Sequence, residues 1–321
     1  MPTACLSHAT SIAFFTAEDN YHVFLDNKRK THQGAAARYR EGSTLPKRIE
    51  LKCVTEDGRV EIKHLKVDVK AITLKGKKLR NVDLSPLIYC TNLQILNLFS
   101  DQLQRVDLIP LSSCTSLKRL VLPSNKLQIV DLSPLSGCTS LETLNLSENQ
   151  LQSVDLTPLS DCISLQTLAL SSNHLKKVVL SPLSSCTGLE TLDLSENPLQ
   201  RVDLAPLSGC INLQELHLCS NQLLSVDLSS LSRCTSLQKL DLSENSLQSV
   251  DLAPLSGCTN LQELDLSSNQ LQSLDISPLL VAYSFFLRVD DMVILMAHES
   301  LRNRKGLPRW FEGFTKRIQW F

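Results

Sequence analysis

The chain has 321 residues, 42% of them hydrophobic and 20% charged, with a net charge of −1. This is an ordinary soluble composition with enough apolar material for a large core, and its balance gives no global field toward nucleic acid or membrane. No run of about 18 apolar residues occurs, and no basic n-region precedes the short apolar patch at Ile12 to Phe15. Neither a spanning helix nor a secretory signal is expected, and the sequence reads as cytoplasmic.

The near-zero charge hides an asymmetry. Residues 1–92 carry 16 Lys+Arg against 10 Asp+Glu, residues 93–271 carry 9 against 18, and residues 272–321 carry 7 against 5. An acidic middle lies between two mildly basic ends.

In chain order, residues 1–46 form an N-terminal segment of uncertain order, with Lys28, Arg29, Lys30, Arg38 and Arg40 among small polar residues. Residues 47–68 then read as a hairpin cap. Ile49, Leu51 and Cys53 alternate, Asp57-Gly58 turns, and Val60 and Ile62 alternate again.

From residue 69 to 284 the chain is a repeat. Asn recurs at 125, 149, 173, 197, 221, 245 and 269, always 24 residues apart, with leucines in step. Each unit reads LxxLxLxxNxL followed by a leg such as V-D-L-S-P-L-S-x-C-T. Eight units begin at Leu93, Leu117, Leu141, Leu165, Leu189, Leu213, Leu237 and Leu261. A degenerate one precedes them from Val69, with Lys77 at the Asn position, and Asp101 takes that position in the next unit. The LxL alternation predicts a short strand with two side chains inward, and one such strand buries its apolar side only by stacking on copies of itself. Ser-Pro, as at Ser133-Pro134, predicts a hydroxyl-capped 3₁₀ or α turn on the opposite side.

With its Asn column, its leucine spacing and these short V-D-L-S-P-L legs, the sequence resembles leucine-rich-repeat proteins, most closely the internalin and phosphatase-regulator subclass, over residues 69–279. It departs from that subclass in its 24-residue unit and in Cys where an aliphatic residue is commoner. The resemblance implies an α/β solenoid, a right-handed horseshoe with a concave parallel sheet, short convex turns and terminal caps. It also implies a non-catalytic protein-binding scaffold, or a regulatory subunit of a phosphatase or GTPase.

Residues 285–321 read as a degenerate strand (Phe285, Leu287, Val289) and a helical cap. The cap is expected as a helix over Met292 to Lys305 started by Asp290 and Asp291 and closed at Gly306. A second helix follows Pro308, with Trp310, Phe314, Ile318 and Phe321 on one face packed on the core.

Eight of the eleven cysteines, Cys90, Cys114, Cys138, Cys162, Cys186, Cys210, Cys234 and Cys258, form one column. Parallel side chains and the absence of a secretory signal favour a reduced core ladder over disulfides. No CxxC pair suits zinc, so no metal or cofactor is expected. Asp recurs at 83, 107, 131, 155, 203, 227, 251 and 275, with Val179 in the same column, and reads as a turn-shaping ladder rather than a calcium site. His217 and Cys219 point the same way but lack a third group, so no catalytic residue is assigned.

Specificity is expected on the outward positions of the strands. The candidate protein-binding residues are Ile95, Phe99, Arg119, Val121, Asp193, Glu196, Glu215, His217, Lys239, Asp241, Glu244, Glu263 and Asp265. They grade from apolar in the first two units to acidic later, which matches a protein partner with an apolar anchor and a basic surface. A monomer is expected, with no membrane partner. An anionic ligand or nucleic acid at the basic amino end, around Lys75, Lys77, Lys78 and Arg80, is the alternative.

Overall fold

In the computed structural model of the chain, the described residues run from 46 to 321, apart from 76–77, 100–101, 282–284, 303–306 and 316. The expectations for residues 1–45 and for Lys77, Asp101, Lys305 and Gly306 lie outside them.

The hairpin forms as read. Strands β1 (Arg48–Thr55) and β2 (Val60–Lys66) pair antiparallel. Gly58 takes the positive φ of 82° that its turn requires. Ile49, Leu51, Cys53 and Thr55 are buried on one face of β1. Strand β3 spans Ala71–Lys75, and β4 (Leu79–Val82) lies antiparallel on the free edge of β1, joining the hairpin to the first turn of the stack.

The repeat then supplies one strand per unit. These are β5 (Ile95–Phe99), β6 (Arg119–Val121), β7 (Thr143–Asn145), β8 (Thr167–Ala169), β9 (Thr191–Asp193), β10 (Glu215–His217), β11 (Lys239–Asp241) and β12 (Glu263–Asp265). After β13 (Ser273–Asp275) comes β14 (Phe286–Arg288). Among the described residues, β3, β5 to β12 and β14 form one ten-stranded parallel sheet, and each pair from β5 to β12 is in a strict 24-residue register. The leucines between the outward positions, such as Leu144, Leu168 and Leu192, are fully buried. They share one core with the leucines of the opposite legs, such as Leu159, Leu183 and Leu207.

Three polar columns order the stack, two of them bonding between units and one within each unit. The Nδ2 of Asn173 donates to the carbonyls of Leu146, Leu170 and Ser171 at 3.1 Å each, while its Oδ1 accepts from the Leu151 N–H at 3.0 Å. One side chain thus satisfies backbone groups of two units where the chain leaves the sheet, where an unpaired group would be costly. The same set recurs around Asn149, Asn197, Asn221 and Asn245.

The Asp column does cap the turns, and in doing so replaces the expected hydroxyl cap. Asp131 accepts from the Ser133 N–H at 2.9 Å, and Asp155, Asp203, Asp227, Asp251 and Asp275 repeat the bond two residues on. The capping side chain therefore lies two residues before the Ser-Pro position, and the residue between is a buried Leu. At the third column, the Cys138 thiol donates to the Cys114 carbonyl at 3.6 Å, and Cys162, Cys186 and Cys234 reach the preceding column cysteine in the same way. The described cysteines are free thiols.

The carboxyl end differs from the helical reading. Residues 294–297 form strand β15, in parallel between β13 and β16 (Ile318–Trp320). Val293, Leu295 and Ala297 are buried while Ile294 is exposed, a period of two rather than 3.6. The second expected helix shrinks to the single turn α1 (Arg309–Glu312), which ends at Gly313. Its aromatics pack on the core, with Phe311 buried and Trp310 edge-on to Phe285 at 4.9 Å. Asp290 does not start a helix. It accepts from the Ser268 and Asn269 N–H groups, where a further unit would otherwise offer carbonyls.

Candidate protein-binding face

The open face of the ten-stranded sheet carries the outward residues at alternate positions along each strand. Ile95, Arg119, Thr143, Thr167, Thr191, Glu215, Lys239 and Glu263 align in one column, and Asn97, Val121, Asn145, Ala169, Asp193, His217, Asp241 and Asp265 in the next. Ile95, Phe99 and Val121 are half-buried at one end, beside an exposed Arg119.

The acidic run is less open than the sequence suggests. Glu215 lies 3.1 Å from His217, and Lys239 pairs with Glu263 at 3.3 Å. Asp193 and Asp241 each accept from the hydroxyl of the serine two residues on, at 2.6 Å. Asp265 does not face solvent: it is 5% exposed, accepts from Ser267, and pairs with Arg288 at 3.3 Å. Glu196 and Glu244 are exposed and accept from Ser172 and Ser220 of the preceding unit, both at 2.8 Å.

Those glutamates sit in a column whose alternation of Ser and Glu was legible but whose backbone conformation was not. Ser124, Glu148, Ser172, Glu196, Ser220, Glu244 and Ser268 all have φ between 52° and 56°, a left-handed conformation usually left to Gly or Asn. The residue types gave no signal for it.

Two further face residues come from β14. The last unit is one residue short, so Leu287 aligns with Leu264, and Phe286 and Arg288 fall beside Glu263 and Asp265. Phe286 is 54% exposed and Arg288 covers its ring at 5.0 Å. The gradient from apolar to acidic therefore ends in an aromatic and a cation. The alternation of Phe285 and Leu287 was visible in the sequence, and both are buried.

At His217 and Cys219 the imidazole contacts a carboxylate and the thiol is half-buried. The histidine is engaged by Glu215. Burial, and then the nearby Asp241 carboxylate, push the Cys219 thiol up to about 12, away from the thiolate a nucleophile needs. No group of three or more metal-ligating side chains occurs among the described residues. At the basic amino end Lys78 lies 4.0 Å from Glu56.

A leucine-rich-repeat family model matches residues 91–151, 115–175 and 211–271, and a second leucine-rich-repeat model matches 188–210. The chain belongs to the leucine-rich-repeat family. Solved internalins of Listeria monocytogenes are similar to it. The internalin inlF is 27% identical over 76% of this chain and 68% of its own, with a TM-score of 0.60. Internalin C2 is 29% identical over 61% and 80%, with a TM-score of 0.51. The leucine-rich-repeat ectodomain of the Arabidopsis thaliana receptor kinase GASSHO1/SCHENGEN3, solved in complex with CASPARIAN STRIP INTEGRITY FACTOR 2, is 25% identical over 77% of this chain and 32% of its own, with a TM-score of 0.62. No curated protein sequence matches the chain.

Proposed function

We propose that this leucine-rich-repeat protein is a non-catalytic scaffold that binds another protein on the concave face of its sheet, and that it does so in the cytoplasm. The observation that carries the reading is where the units differ. Charge and size change most along the two outward sheet columns, whereas the leucines behind them hardly change and the opposite legs repeat Ser, Pro, Gly and Thr. Apart from the buried Ala169 and Asp265, those outward residues lie outside the core, so their diversity suits recognition. The complex of the similar plant ectodomain with its factor supports a protein partner.

The face has an apolar patch at each end, Ile95, Phe99 and Val121 at one and Phe286 at the other, with Asp193 and Asp241 between. A partner with apolar anchors and a basic centre fits it. Apolar anchors act chiefly on dissociation. Once a partner has been captured, Phe286→Ala should speed its dissociation about ten-fold, the effect of roughly 1.4 kcal/mol. Ser208→Lys, on the opposite leg, should change neither rate. A partner released by Ser208→Lys and indifferent to Phe99→Ala and Phe286→Ala would sink the proposal.

A further inference from the structure

The flank that follows the Asn column carries a charge pattern of its own. It is built from four-residue segments, 102–105, 126–129, 150–153, 174–177, 198–201 and onward. Five of the nine Lys and Arg residues in 93–271 fall in these segments: Arg105, Lys126, Lys176, Lys177 and Arg201. None of the eighteen acidic residues does. In a stretch with twice as many acids as bases, that segregation is not what packing requires. The one inward residue of each segment is a buried Leu, and Arg105, Lys176, Lys177 and Arg201 are exposed.

The charge peaks in one unit. On either side of the flank run carboxylate columns, one holding Glu148 and Glu196 and the other Asp155 and Asp203. The unit with the lysine pair has Ser172 in the first and Val179 in the second, so both bordering acids are missing where Lys176 and Lys177 stand. Val179 gives up the turn-capping bond that the neighbouring units make and leaves an apolar side chain 60% exposed. Nearer the amino end the same flank holds a cleft of about 170 Å³ lined by Gln104, Arg105, Lys126, Gln128 and Gln150.

We propose that this flank binds an acidic peptide segment of a protein, lying along the solenoid from the Arg105–Lys126 cleft to Arg201. Four unit intervals of about 5 Å correspond to roughly six residues of extended chain. The Gln104, Gln128, Gln152 and Gln200 amides offer both donors and acceptors to such a backbone, and Lys126, Lys176, Lys177 and Arg201 meet its carboxylates. A nucleic acid fits less well. Residues 93–271 carry a net charge of 9 − 18 = −9 and one aromatic, Phe99, on the sheet face, so bases find no stacking platform and a long polyanion meets the bordering carboxylates.

The test uses the full chain with a fluorescent ten-residue Asp/Glu-rich peptide, its Asn/Gln analogue and an oligo-dT of matched charge. The acidic peptide should bind, weakening as salt rises, and the neutral analogue should not. Lys176→Glu/Lys177→Glu/Arg201→Glu should weaken it at least ten-fold, and Arg119→Glu on the sheet should leave it unchanged. Val179→Asp separates recognition from folding. It restores the turn cap and should raise the melting temperature while weakening the peptide several-fold. Equal affinity of the triple variant, tighter binding by Val179→Asp, or oligo-dT binding more tightly than the peptide would each overturn the proposal.

Discussion

The Asn173 side chain reaches four backbone groups: its two amide hydrogens are shared among three carbonyls, and its Oδ1 accepts one N–H. Truncation to Ala strands them. Asn173→Ala should therefore cost about 1–3 kcal/mol. Leu168→Ala, a fully buried inward position, should cost about 2–5 kcal/mol through lost burial and the cavity left behind. Denaturant titration of the two variants checks both, and a wild-type midpoint for Asn173→Ala would contradict the role drawn from its bonds. The column cysteines give a second residue-scale prediction. Burial raises their thiols from an ordinary 9.0 to about 11 or 12. Between those values the unfolded chain has released protons that the folded chain still holds, so stability is intact below pH 9 and falls as pH climbs toward 11–12. Melting temperatures from pH 8 to 10.5 should drop more steeply for wild type than for Cys138→Ala/Cys186→Ala, and parallel profiles would contradict it.

Among elements, the strands of the repeat were legible because LxL alternation, Asn spacing and turn legs all point to one geometry, and each unit confirms the last. The cap was not. Its strands β15 and β16 are short and single-copy, and acids before an apolar run read as a helix start, whereas pairing with β13 decides the outcome. The period-two burial of Val293, Leu295 and Ala297 was present in the sequence but masked by Ile294 and Met296 between them. Within the cap, Phe311 lies between the rings of Trp310 and Trp320 and is 1% exposed. Phe311→Ala should cost about 3–5 kcal/mol and loosen the cover over the end of the stack. Size-exclusion chromatography should then show oligomers, since an uncovered sheet end invites pairing. A monomer of unchanged stability would instead make the aromatic group an independent docking element.

For the whole molecule, the candidate face was legible in its columns but not in its electrostatics. Which acids are quenched depends on partners one unit away, such as Lys239 for Glu263, or on the one-residue shortening that brings Arg288 to Asp265. The flank basicity was visible only once the turn at Asn had assigned those residues to a common side. What joins the units is strictly short in reach: the bonds between neighbours link residues 22 to 27 apart. The Ser–Glu alternation adds a parity to that reach. Ser124 binds Glu148, Ser172 binds Glu196 and Ser220 binds Glu244, so units come in couples of 48 residues. A lineage that gained or lost a single 24-residue unit would set two left-handed glutamates side by side, or two serines. One that gained or lost a couple would keep every junction as it is. From Ser124 to Ser268 the alternation is thus kept by even steps in length and broken by odd ones.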